Sequence, residues 1–172
     1  MAWTVIEHEE LTGAVASWTS GTIPASYDHL CLMVSGRTDQ AAVYSAQEVR
    51  FNGDSGANYR SENFYGWQAS SFSTDHTVTS GIAYPMLTGS TPTGETFGAM
   101  TVWVPHYANT VNHKAALVQS TAPYESTGSG QVRFTGGRWE DTSAITTITV
   151  IPLSGDDLVQ YSTFTLYGLT GA

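Results

Sequence analysis

The chain reads as all-β, a single antiparallel β-sandwich of jelly-roll-like kind with about eight to ten strands. Three observations carry this. Short segments alternate apolar and polar residues with the period of a strand. Turn residues punctuate them at short intervals. Helical periodicity is nearly absent, and only 12% of the 172 residues are charged, about half the usual share of roughly 25%. A surface covered mainly by Ser, Thr, Asn, Gln, Gly and Tyr suits exposed β-structure better than charge-laced helices.

Trp3–His8 opens the chain as a strand, and the cluster Glu7, His8, Glu9 and Glu10 follows as a solvated turn. His and carboxylate are both metal ligands, but neighbours in an extended chain point to opposite faces and do not converge. Residues 11–27 lack a clean period. Gly21 and Pro24 break them, and Ala14–Trp18 is either a strand or one helical turn. His29–Ser35 is the most apolar run and reads as a central strand, followed by a polar loop over 36–43. It contains Cys31, the only cysteine, so no disulfide forms within the chain. That cysteine reads as a small buried hydrophobe, with a reactive nucleophile as the other reading.

Glu48–Asn52 alternates and runs into Asn52-Gly53, a tight-turn dipeptide because both residues tolerate positive φ. Tyr59–Tyr65 is expected to return as its hairpin partner. A calcium loop on Asn52, Asp54, Ser55 and Asn58 is the competing reading of this tip. Calcium takes about 6–8 oxygens, and one carboxylate is a poor start. Residues 66–95 read as a long Ser/Thr/Gly-rich loop and a contact surface. Phe97–Val104 carries bulk on both faces, as a central or interface strand does. Residues 105–113 are a polar loop. Ala115–Ser120 and Gln131–Phe134 are strands around a turn at STGSG. The C-terminal run is expected to form a hairpin, Ala144–Ile151 with Ser162–Tyr167, across a turn at Gly155, Asp156 and Asp157. The whole of 1–172 reads as one domain, with 1–22 as an arm available to partners.

The formal charge of −9, from 15 acids and 6 bases, argues against nucleic acid, which is held by cations on phosphates. It argues equally against an anionic membrane. The N-terminus shows neither a basic nor an apolar leader region, and no apolar run approaches the ~20 residues of a membrane span. The expectation is a protein made and folded in a cytoplasm.

No catalytic motif is legible. His8, His29, His76, His106 and His113 fall into no metal-binding spacing, and no nucleophile elbow is present. Glu48, Asp54 and Glu62 lie close in sequence, and a glycosidase needs two carboxylates about 5–9.5 Å apart. Any β-protein with this many acids offers such a trio by chance. No cofactor is expected. Aromatics do gather at Tyr59, Phe64, Tyr65 and Trp67, and Tyr107 and Asn109 share another loop. These six are candidate contacts to a partner or a glycan. The plain alternative is that their rings fill a core or a subunit interface.

Five segments in order carry a resemblance: IPASYDHLCLMVSGRTD, EVRFNGDSGANY, VPHYANTVNHKAALVQS, RWEDTSAITTITV and STFTLYGL. Together, from about Pro24 to Gly168, they resemble a family of tailed-bacteriophage virion proteins. The resemblance implies a non-enzymatic particle component, located in the virion after assembly in the host cytoplasm. As a compact sandwich without a fibre shaft it would be a capsid decoration (cement) protein. Its partners would be itself, as a homotrimer, and the major capsid protein or other virion proteins. The alternative is a tail- or fibre-associated module that binds a host surface glycan.

Overall fold

The computed structural model describes residues 2–67, 70–123 and 130–171, without the side chains of 67 and 70–78. It is all-β, with two antiparallel sheets packed as a sandwich. The strands are β1 (Ala2–Glu10), β2 (Trp18–Thr19), β3 (His29–Gly36), β4 (Tyr44–Phe51), β5 (Tyr59–Trp67) and β6 (Ser70–Thr79). They continue as β7 (Ile82–Thr88), β8 (Gly98–Pro105), β9 (Lys114–Ala122), β10 (Gln131–Trp139), β11 (Ile148–Pro152) and β12 (Thr163–Thr170). The large sheet runs β1-β12-β3-β8-β9-β10-β5-β6 and the small one β2-β11-β4-β7.

Alternation decides what lies between the sheets. Leu30, Leu32 and Val34 of β3, Met100, Val102 and Val104 of β8, and Phe164 and Leu166 of β12 point inward from the large sheet. Val49, Phe51, Ile148 and Val150 meet them from the small one. Trp18 stacks on Phe164 at 4.5 Å and 8°. Near β5, β9 and β10 the inner layer turns polar, and it closes the free edge of the small sheet. The Ala83 and Met86 amides of β7 donate to the Ser61 and Ser120 hydroxyls, at 3.1 and 2.8 Å. Those amides would otherwise be an unpaired edge inviting a foreign strand.

The chain changes sheet at most connections; only β5–β6, β8–β9 and β9–β10 are consecutive neighbours. This corrects both expected hairpins. The Asn52-Gly53 turn forms, with φ of 54° and 67° and the Asp54 amide donating to the Phe51 carbonyl at 3.0 Å. Yet it leads from the small sheet into the large one, where β5 pairs with β10 and β6. In the same way β11 pairs with β4 and β2, while β12 lies between β1 and β3. A chain that crosses between layers buries both strands against opposite partners, which local turn chemistry does not reveal.

Three further expectations are corrected. The long loop over 66–95 contains β6 and β7. The acidic cluster is no turn: Glu7 and Glu9 belong to β1, after a bulge beyond Val5. Their carboxylates accept from the Gly21 amide and the Trp18 indole, at 2.8 and 2.9 Å, and hold β2 in place. Residues 2–10 lie along β12 as an edge strand of the chain's own sheet. The polar loop over 36–43 holds buried Arg37, whose guanidinium donates to the carbonyls of Ser90, Pro92, Thr93 and Thr96 at 2.7–3.0 Å. The expected turn at STGSG falls mostly outside the described residues.

Candidate functional site

The inner face of the large sheet is covered by the small sheet. Its outer face is not covered by any of the described residues. Side chains alternate along every strand, so the outward set follows from the pairing. One row runs in register Phe64, Phe134, Gln119, Thr101, Met33, Thr165 and His8, from β5 to β1. The next runs Glu62, Gly136, Leu117, Trp103, Cys31, Tyr167 and Val5. Of the ten large apolar side chains exposed among the described residues, seven lie on this face: Trp3, Val5, Met33, Phe64, Leu117, Val132 and Phe134, each 41–55% exposed. Scattered exposed hydrophobics are ordinary; a contiguous set on one face marks an interaction surface.

The face has two ends of different character. Across β1, β12, β3 and β8 it carries an aromatic roof. Trp3 meets Tyr167 edge-on at 5.5 Å and Trp103 at 6.2 Å. His29 lies 6.0 Å from Trp103 and 5.0 Å from His106. Cys31 and Leu169 point outward by register, between these rings, and are nonetheless buried. Burial pushes the Cys31 thiol up to about 11, because a thiolate there would lose its hydration. The folded protein is therefore expected to resist a thiol reagent at pH 8 and to react fully once unfolded. Rapid labelling of the native protein, read by mass spectrometry, would contradict this assignment.

Across β9, β10 and β5 the face is a shallow dish. Gly136 forms its floor, with Ala115 beside it; Arg60, Arg138 and Glu62 stand at the rim. Arg60 and Arg138 sit opposite each other in register, a like-charge pairing that Glu140 relieves by bridging both, at 2.9 Å to Arg60. Phe64 and Phe134, also directly opposite, continue the surface. A side chain added at Gly136 would meet nothing within 4 Å.

The six residues expected as contacts divide accordingly. Tyr59 and Tyr107 are corrected: both are fully buried. The Tyr59 hydroxyl bonds the Phe51 backbone, accepting from its amide at 3.0 Å, and burial raises its pKa. Tyr107 donates to the Pro24 carbonyl and accepts from the Tyr27 amide at 3.3 Å. Phe64 is on the outer face and exposed. Tyr65 points inward and is half-buried, with the Arg133 guanidinium 4.2 Å from its ring centre. The side chain of Trp67 lies outside the described residues. Asn109 is exposed, but its Oδ1 is taken by the Val111 and Asn112 amides at 2.6 and 3.1 Å, so it shapes its own turn.

The calcium reading of the tip loses its ligands in the same way. Asn52 is held by Thr146, Thr147 and Ala144. Asp54 accepts from Gly56, Asn58 and Trp139. The carboxylate trio is dispersed. Glu48 is buried against Arg50 and Ser80 in the small sheet, Asp54 closes the turn, and Glu62 is on the outer face of the large sheet. Among the described residues no three His, Cys, Asp or Glu side chains gather as metal ligands. The residues that make the outer face, Met33, Trp103, Leu117, Val132 and Phe134, were not singled out by the sequence reading. The double-sided bulk of Phe97–Val104 reads as a central or an interface strand, and the structure places it centrally, as β8 between β3 and β9. No family model, curated protein or solved structure matches the chain.

Proposed function

We propose that this protein is a non-enzymatic structural component of a bacteriophage virion, a capsid decoration protein that stabilises the shell by bridging its subunits. One observation carries the reading: among the described residues, the sandwich leaves one broad face of its large sheet uncovered, with seven large apolar side chains exposed on it. The five ordered segments that resemble phage virion proteins supply the setting. The cations fit the same view. Arg37, Lys114 and Arg133 are buried, Arg50 pairs with Glu48, and Arg60 and Arg138 share Glu140. Little positive charge is left to hold a phosphate backbone.

The mechanism is mechanical. Each copy removes apolar surface from water at a joint, worth at most ~25 cal/mol per Å² and offset by lost rotational freedom. Many such joints act together. Purified protein added to shells lacking it is expected to bind at regular positions and to raise the temperature at which they dissociate. Absence from the shell, with labelling at the tail tip, would overturn the decoration role.

A second reading is a tail- or fibre-associated module for a host glycan. It is favoured by the exposed Phe64 and Phe134 rings beside a dish with charged rims at Arg60, Glu62 and Arg138. An aromatic plane next to hydrogen-bonding groups suits a sugar ring. Binding to a glycan array that is lost in Phe134→Ala, with no binding of the wild type to shells, would replace the first reading by the second.

A further inference from the structure

We infer that the outer face of the large sheet is the contact between two copies of this chain, packed sheet against sheet about a two-fold axis. The inference rests on the reading of this face as an assembly surface and is independent of the virion setting; the joint that this face makes is then the one between two copies, and a shell would be met by the other surfaces of the pair. Charge selects the occupant. The chain carries −9, so two copies repel over most of their surfaces. The outward positions of β3, β8 and β9 hold no Asp, Glu, Lys or Arg. A basic partner would be met by acids here, and it is not; an equally acidic copy can approach only where charge is missing.

Size agrees. Seven strands, β1 to β5 across the sheet, spaced ~4.8 Å apart and about eight residues long, make a face of ~750 Å². That is close to the ~800 Å² per partner of a stable protein–protein contact. Sheets pack face to face at ~10 Å with interdigitating side chains. The exposed Met33, Leu117 and Phe134 supply the knobs.

Gly136 gives an independent sign. A glycine inside a strand weakens it, and often marks a place where another chain comes close. Within one copy nothing requires this glycine, because an added Cβ would meet nothing within 4 Å. The dish it opens is a socket for a side chain from the facing copy. One flat, self-complementary patch gives an isologous pair, whereas the trimer expected from the resemblance would need two different patches on each copy.

Sedimentation equilibrium of the full chain is expected to give twice the 18.4 kDa of one copy. Leu117→Glu and Phe134→Glu are expected to give the single-copy mass with an unchanged circular dichroism spectrum, since both positions face solvent in the single chain. Gly136→Val is the sharper variant. It fills open space with a better strand former, so it is expected to keep or raise the melting temperature measured at a dilution where the wild type is a single copy, while weakening the pair at least tenfold. Val111→Glu, on an exposed loop position off the face, is expected to leave the mass unchanged. Single copies of the wild type at roughly 0.1 mM, well above the micromolar range of contacts this size, would overturn the inference. So would a threefold mass, or a pair that survives Leu117→Glu and Phe134→Glu. A pair that fails to bind shells leaves this inference standing and removes the decoration reading; single copies that bind shells do the reverse.

Discussion

Arg37→Ala is expected to lower the melting temperature by about 6–12 °C. Arg37 is buried, and its two terminal nitrogens reach four backbone carbonyls of the segment Ser90–Thr96 at 2.7–3.0 Å. Among the described residues no carboxylate accepts from it. Hydrogen bonds from a charged donor are worth more than neutral ones, about 1.5–3 kcal/mol each. The Ser90–Thr96 carbonyls lie near the surface and can partly rehydrate, so the net loss is about 3 kcal/mol rather than the sum. For a chain of this size each 1 kcal/mol moves the midpoint by about 2–4 °C. Arg37→Lys is expected to recover less than half of the loss, because an ammonium has three donors and cannot span this fork. The amides of Gly89, Ser90 and Thr91, which donate to Val43, Gln40 and Ala42, are expected to exchange faster in the alanine variant than those of β8. A melting temperature within about 1 °C of wild type, with exchange unchanged, would mean that the segment is held by something else.

Arg37 also shows where sequence reading stops. Period-two alternation located β1, β4, β8, β11 and β12, because burying one face of a pleated strand demands it, and the apolar run at His29–Ser35 located β3. It could not say which strand lies beside which. Asn52-Gly53 has the backbone its residues require, but a tight turn fixes the direction of the chain over four residues, not the sheet it enters. The stretch now seen as β6 reads as loop because Ser and Thr dominate it, although Thr is β-branched and fits a strand; β7 reads as loop because Pro85 falls within it and Gly89 follows it, both breakers. Tyr59 and Tyr107 look like surface aromatics in sequence, since a phenol suits a wet groove and a core equally well. What separates Tyr59 from Phe64 is parity: five residues apart on one strand, they point to opposite faces, one into the core and one out. The outer face is the sum of such parities over several strands, and it appears only when the pairing is known.

Trp139→Ala is expected to be the most damaging single change, at about 3–5 kcal/mol, the usual range for emptying the space of a buried Trp. Its ring is 2% exposed, stacked on Tyr59 at 6.2 Å and tilted against Phe51 at 5.9 Å. Its Nε1 donates to Asp54 at 2.6 Å, tying the end of β10 to the turn between the sheets. Trp139→Phe separates the two contributions, keeping most of the packing and losing the bond. The separation is readable in pH. The Asn58 side chain first, then the Gly56 amide and the Trp139 indole, hold the Asp54 carboxyl below the usual carboxylate range. A carboxyl depressed by folding adds stability above its unfolded value, ~3.9. That stability is lost as pH falls through the lower folded value. With one donor gone the depression is smaller, so the gap between wild type and Trp139→Phe is expected to be widest near neutral pH and to narrow below about pH 4. In an Asp54→Asn background the gap should not vary with pH at all, because no charge is left for the indole to stabilise. Urea unfolding across that range would decide it. A gap that stays constant in the presence of Asp54 would show that the indole acts by filling space alone, and that the turn is held to β10 by packing rather than by its carboxylate.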